Sequence, residues 1–212
     1  MLTINLTDKE FWQSGAEGYI FFFWENLEGL AQHADIEYIE KNFYPHLKAV
    51  LKKYKFEGKR GQVYTLTAPG EGGITQFIFI GLGKPGKKSH NDLETLRRAV
   101  GTGINILKKN YIEQAIVNLP VEGSCGISAE ELLRQMAITA LMASYEFNMF
   151  KSGKDAADEW KGVLNVKIPT DKKGNFAQAL QQAMIVGEAI NQARSWCDMP
   201  ANVLTPTYLS QE

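Results

Sequence analysis

Short apolar runs alternate with longer amphipathic segments along most of the chain, and this alternation constrains the fold more than any single motif does. Residues 74–83, ITQFIFIGLG, form an apolar run of the length and composition typical of a buried strand. In residues 90–109, apolar side chains recur at helical spacing with charges between them, and a second strand-like run follows at 113–120. This order predicts an α/β fold in which helices cover a sheet.

The rest of the chain continues the same alternation. Further strands are predicted at residues 2–6, 19–24, 62–68 and 162–169. Further helices are predicted between the second and third strands, at 128–150 and at 175–197. Between the runs at 62–68 and 74–83, the glycines Gly70, Gly72 and Gly73 supply the positive-φ freedom of a hairpin turn. We therefore expect a mixed β-sheet flanked by helices on both faces.

Three places carry the signature of a helix start. Ser128 has a glutamate three residues later, which makes a capping box, and Asn91 followed by Glu94 resembles one. Thr205 followed by Pro206 is the third, because a threonine oxygen caps free N–H groups and proline fits the first helical position. The last signal begins a helix only a few residues before Glu212.

Charge and composition exclude several classes of function. The 23 Lys and Arg residues nearly balance the 24 Asp and Glu residues, so no overall field attracts nucleic acid or an anionic membrane. The N-terminus lacks the order of a signal peptide, and the apolar run at 19–24 is far too short to span a bilayer. Cys125 and Cys197 form no disulfide or zinc pattern. A cytoplasmic protein without membrane partners is the expectation.

Side chains that carry chemistry are sparse. The sequence contains no HExxH or GxSxG motif and no carboxylate-rich metal loop. The three histidines, His33, His46 and His90, lack ligand spacing, so surface or capping roles are expected for them. Cys125 precedes a predicted helix but has no flanking histidine or asparagine to act as a base. The residues themselves therefore predict no catalytic, metal-binding or cofactor-binding residue.

One phosphate-binding motif is incomplete. Gly81, Gly86 and Lys87 have P-loop spacing directly after an apolar strand. The next residue is Lys88 instead of the serine or threonine that binds magnesium, and Pro85 removes a backbone donor from the loop. A glycine-rich exit from a buried strand accounts for the same residues, so nucleotide hydrolysis is not expected.

The C-terminal segment resembles a known family. Residues 193–209 are similar to the segment that joins the two domains of leucyl aminopeptidases (cytosol aminopeptidases, M17), which typically has the pattern A-R-x-L-x-N-x-P-x-N-x-L-T-P-x-x-L. The matching residues are Ala193, Arg194, Pro200, Asn202, Leu204, Thr205, Pro206 and Leu209. Trp196 and Asp198 depart from the pattern. Residues 79–84, residues 96–109 and the segment around Tyr145 and Lys151 are also similar to the family.

The resemblance implies a function for a longer protein. Residues 1–170 would form a macro-domain-like N-terminal α/β domain, and residues 171–212 would form the linker helix and the start of an absent catalytic domain. In the family that second domain carries the catalytic residues and two divalent ions, zinc or manganese, and the enzyme removes N-terminal residues from peptides as a hexamer. This chain would then serve in packing and assembly. The candidate contact residues are Met142, Phe147, Met149, Phe150 and Trp196.

Two alternatives of other classes remain. The chain could be a stand-alone macro-like module that binds a nucleotide or an ADP-ribose-like ligand at glycine-rich loops, around Gly81 to Gly86 or Gly123 to Gly126. It could also bind nucleic acid through the basic loop containing Lys84, although the net charge of -1 disfavours this.

Overall fold

A computed structural model describes most of the chain. The described residues are 2–10, 13, 15–25, 33–70, 73–84, 89–120, 127–151, 160–168 and 174–211. The strands are β1 (Thr3–Thr7), β2 (Gly18–Trp24), β3 (Val63–Gly70), β4 (Gly73–Gly83), β5 (Gln114–Asn118) and β6 (Val163–Lys167). The helices are α1 (Ala34–Asn42), α2 (Leu47–Lys53), α3 (Ser89–Lys109), α4 (Ala129–Ser144), α5 (Phe176–Asp198) and α6 (Pro206–Leu209).

These strands form one mixed sheet, as the sequence predicts. Their order is β1-β6-β5-β2-β4-β3. Every neighbouring pair is parallel except β3 and β4, which form the expected antiparallel hairpin. Gly70 pairs with Gly73 at the end of that hairpin, and Gly73 has a φ of 125°, a conformation that glycine adopts without strain. Gly72 lies outside the described residues.

Helices cover both faces of the sheet because the central strands are apolar on both sides. Ile20 and Phe22 of β2 belong to a core with residues of α3, α4 and α5. Tyr19, Phe21 and Phe23, which alternate with them, belong to a second core with residues of α1 and α2. The continuous apolar run at 19–24 is therefore a central strand buried on two sides. The predicted arrangement of helices on both faces is confirmed.

Three local predictions need correction. Two helices, α1 and α2, replace the single helix expected between β2 and β3. Asn91 lies inside α3, which begins at Ser89, so it is not the cap; Glu94 pairs with Arg98 instead. The helix predicted for 128–150 ends at Ser144, because Tyr145 takes an extended backbone conformation. By contrast, Ser128 and Thr205 both cap their helices, accepting hydrogen bonds from Glu131 N and Tyr208 N.

Candidate functional site

The first glycine of the incomplete phosphate motif has a structural role. Gly81 N donates to Gln62 O at 2.8 Å, and Gly61 N donates to Gly81 O at 3.1 Å. A side chain at Gly81 would collide with the backbone of Gly58 and Lys59. Glycine at this position is thus explained by the close approach of residues 58–62 to β4. The rest of the motif, Pro85 to Lys88, lies outside the described residues.

The other isolated candidates do not combine into a site. His33 is the N-cap of α1, where its Nδ1 accepts from Asp35 N at 3.4 Å, so its expected capping role is confirmed. His46 precedes α2 in a left-handed conformation and makes no side-chain cap. Cys197 is an exposed free thiol near the end of α5. Cys125, the Gly123–Gly126 loop and the side chain of His90 lie outside the described residues.

The described part of the chain offers no fit for the metal pair that the resemblance implies. Among these residues, no group of three or more His, Cys, Asp or Glu side chains is placed to hold a metal ion. We therefore derive no hydrolytic step from them. In the same part of the chain, no helix is both long and apolar enough to cross a membrane.

A polar cluster that the sequence analysis missed lies near the carboxyl ends of β5 and β6. Asp35, in the first turn of α1, accepts a hydrogen bond from Asn118 Nδ2 at 3.0 Å. Burial raises the pKa of Asp35, while His33, Lys167 and the bond from Asn118 act in the opposite direction. Lys167 in turn pairs with Glu10. Asn118 Oδ1 is buried and has no hydrogen-bond partner among the described residues.

The position of this cluster has a topological cause. The helix that follows β2 is α1, which lies on one face of the sheet. The helix that follows β5 is α4, which lies on the other face. β2 and β5 are adjacent and parallel, so the connections diverge at their carboxyl ends. Ligands of open α/β sheets bind at such switch points. The signal available in the sequence was a polar residue, Asn118, that ends an apolar strand.

A second region lies where α3, α4 and α5 meet. The last carbonyls of α4 receive side-chain donors from the other two helices. Asn191 Nδ2 donates to Leu141 O at 3.0 Å, Arg194 Nη1 donates to Met142 O at 2.7 Å, and Lys108 Nζ donates to Ala143 O at 3.4 Å. Helix carbonyls at a C-terminus lack intrahelical partners, and cations are favourable there. These contacts account for α4 ending where it does.

Tyr145 extends this arrangement across to α5. Its hydroxyl donates to Asp198 Oδ2 at 2.8 Å, and the Arg194 guanidinium carbon lies 4.1 Å from its ring centroid. Desolvation and the bond to Asp198 raise the pKa of Tyr145 to about 12. The phenol therefore stays protonated at neutral pH, which preserves its donor role.

The five predicted contact residues lie in two segments, four of them within 142–150 at and just after the end of α4, and Trp196 near the end of α5. Met149 is 56% exposed and Phe150 is 53% exposed, while Met142 is 38% exposed. We call these three residues the docking corner. Phe147 is half-buried and packs edge-on against Phe150, with ring centroids 5.7 Å apart. Trp196 is also half-buried, and its buried Nε1 has no hydrogen-bond partner in the part of the chain that the structure describes. The exposure expected for the last two is thus only partial.

Comparison with known sequences identifies a family. Residues 20–154 match the model of the cytosol aminopeptidase family, N-terminal domain. A probable cytosol aminopeptidase of Clostridium perfringens is 28% identical over 164 residues, which are 76% of this chain and 32% of that protein. One from Treponema denticola is 29% identical over 183 residues, which are 86% of this chain and 36% of that protein. The chain thus spans about a third of the length of these relatives.

Solved structures share the fold. A mutant of tomato leucine aminopeptidase matches with a TM-score of 0.78 at 19% identity, over 100% of this chain and 41% of that one. The macrodomain of Mycobacterium tuberculosis DarG matches at 0.55 and 13% identity, over 79% of this chain and 99% of that one. Thermosipho africanus DarTG in complex with ADP-ribose matches at 0.58 and 12% identity, over 86% and 46%. The expected macro-domain-like fold is confirmed.

Both kinds of comparison point the same way. The family match covers most of the chain, and the leucine aminopeptidase fold extends over all of it. This chain belongs to the cytosol aminopeptidase family and carries that family's N-terminal domain.

Proposed function

We propose that the chain is the non-catalytic N-terminal domain of a longer, two-metal leucyl aminopeptidase. The whole enzyme removes N-terminal residues from peptides in the cytoplasm with two divalent ions, zinc or manganese, held by a following catalytic domain. This chain packs against that domain and takes part in assembling a homo-hexamer. Residues 1–170 form the domain proper, and residues 171–212 lead into the next one.

The observation that carries this proposal is the docking corner. Met142, Met149 and Phe150 are exposed large apolar residues within 142–150, at and just after the end of α4. Clustered apolar exposure is typical of a surface that another protein element covers. The relatives are about three times as long as this chain, so in our proposal the residues that follow this domain supply such an element.

Charge placed at the docking corner tests the role in assembly. In the full-length protein, the double variant Met149→Asp and Phe150→Asp should reduce the assembly, because burying two carboxylates in an apolar contact is costly. The mass of the assembly is measured by light scattering coupled to size-exclusion chromatography. Ile74→Asp is the matched control, since Ile74 is 73% exposed but belongs to the β3–β4 hairpin. An unchanged mass in the double variant, or an equal loss with Ile74→Asp, would argue against the corner.

A second candidate function follows from the polar cluster. Asn118 Oδ1, which is buried and has no partner among the described residues, and the half-buried Asp35 carboxyl supply acceptors for an N–H donor at the switch point of the sheet. A nucleotide or ADP-ribose-like ligand carries such donors on its base. Calorimetric titration of ADP-ribose into the chain separates the two functions. Saturable heat at micromolar ADP-ribose, lost in the Asn118→Ala variant, would support the ligand-binding function. Absence of heat with the unchanged chain would exclude that function.

A further inference from the structure

The two halves of α5 are held to the domain in different ways. Phe176, Ala179, Ala183 and Gly187 are its buried residues, and they all lie in the first half. A side chain at Gly187 would collide with Leu141, so glycine permits close packing of α5 on α4 at this point. From residue 188 to residue 211, only Met199 is buried, and it belongs to neither apolar core.

Polar contacts join the second half of α5 to α4 and Tyr145, and the large apolar side chains of this half, Ile190 and Trp196, are only half-buried. Asn191 and Arg194 donate to carbonyls of α4, and Asp198 accepts from Tyr145. Arg194 also lies over the ring of Tyr145. These groups are partly exposed, so water can replace each contact, and their net contribution is small beside that of apolar burial. Arg194 makes two of the contacts and is therefore the central one.

We propose that residues 188–198 form a latch, which Arg194 holds against the end of α4 and which swings outward about Gly187 when that contact is lost. The helical hydrogen bonds within the latch stay intact during this movement. A tilt of about 20° over the roughly 16 Å of helix after Gly187 moves its end by about 5 Å. The latch thereby sets the direction in which the chain leaves the domain at Met199 and α6.

The latch is a property of this chain and does not depend on the proposed aminopeptidase function. In a longer protein it would determine how the following domain is oriented. Hinge residues are often small, and Gly187 is such a residue. Arg194 is accordingly a positioning residue and not a catalytic one.

Distances between spin labels test the latch in the 212-residue chain. Arg98 of α3 is 77% exposed in its side chain and Thr207 of α6 is exposed, so each can be replaced by cysteine, with Cys125 and Cys197 changed to serine. We expect a narrow distance distribution in this background. Arg194→Ala should add a second population displaced by about 5 Å or more. Tyr145→Phe should add a smaller displaced population, because the aromatic ring remains beneath Arg194.

Arg134→Ala is the matched control. Arg134 also joins α4 to α5, with Nη2 3.1 Å from Gln182 Oε1, but it does so in the first half of α5. This variant should keep the narrow distribution. Amide hydrogen exchange distinguishes swinging from unwinding, since an intact helix keeps the amides of 191–198 protected.

Three results would overturn the proposal. The first is an unchanged distance distribution in Arg194→Ala. The second is an equal displacement in Arg134→Ala, which would indicate general loosening of the two helices. The third is loss of protection across 191–198 in Arg194→Ala, which would indicate that this part of α5 unwinds.

Discussion

At the scale of single residues, the backbone that packs against Gly81 explains why this position is a glycine. Gly81 has the spacing of an incomplete phosphate-binding motif, yet the backbone of residues 58–62 occupies the space where its side chain would be. The spacing could not reveal this, because the contact joins segments about 20 residues apart in the sequence. The capping role of His33 was foreseeable, since such roles depend on neighbouring residues alone.

Two glycine-to-alanine changes should therefore act in opposite directions. Gly81→Ala should lower the free energy of unfolding by about 2 kcal/mol or more, because a methyl group would collide with the backbone of Lys59. Gly101→Ala, within α3, should raise it by about 0.5–1 kcal/mol, because nothing lies within 4 Å of the added carbon. Urea denaturation measures both. Equal effects of the two substitutions would contradict this explanation of Gly81.

The buried carboxyl of Asp35 should make stability depend on pH. Burial raises its pKa above the ordinary value of 3.8, so the folded state binds the proton more tightly than the unfolded state does. Stability from this group is therefore present at low pH and is lost as the pH rises through the raised pKa. The increase in the free energy of unfolding caused by Asp35→Asn should grow as the pH rises from 3.8 to the raised pKa of Asp35, and should then level off.

Urea unfolding at several pH values measures this gain. Glu188→Gln, on the exposed face of α5, controls for the loss of one negative charge. A gain from Asp35→Asn that is largest at acid pH would show that the carboxylate is stabilised by its neighbours instead of being penalised by burial.

At the scale of elements, α4 shows a start that a local signal predicts and an end that it does not. The start of α4 follows from Ser128 because an N-cap is encoded within four residues. Its end at Ser144 depends on Lys108, Asn191 and Arg194, which reach it from two other helices. Apolar periodicity continues past Ser144, so the sequence alone favoured a longer helix.

The cap of α4 offers a direct check. Ser128→Ala should lower the free energy of unfolding by about 1 kcal/mol, because the N–H of Glu131 loses its acceptor. Ser128→Gly should cost only a few tenths of a kcal/mol, since glycine suits the extended conformation of the cap. Chemical denaturation measures both variants. An unchanged free energy of unfolding in Ser128→Ala would indicate that the serine hydroxyl contributes nothing as a cap.

At the scale of the whole molecule, the sheet and its two helical layers followed from the alternation of apolar runs. The strand order could not be predicted in this way, because no local sequence signal specifies that β5 lies between β6 and β2. That order brings Asp35 and Asn118 together, which is why sequence analysis missed the polar cluster. Four of the five predicted contact residues lie within 142–150, and the structure exposes three of these.

The central claim is that this domain contributes to peptide hydrolysis without performing it. The most direct test measures release of leucine from a leucyl peptide, with zinc or manganese supplied, by the 212-residue chain and by the full-length protein that contains it. We expect hydrolysis by the full-length protein and none by the chain alone at equal molar concentration. Metal-dependent hydrolysis by the chain alone, at a rate comparable with that of the full-length protein, would contradict this account.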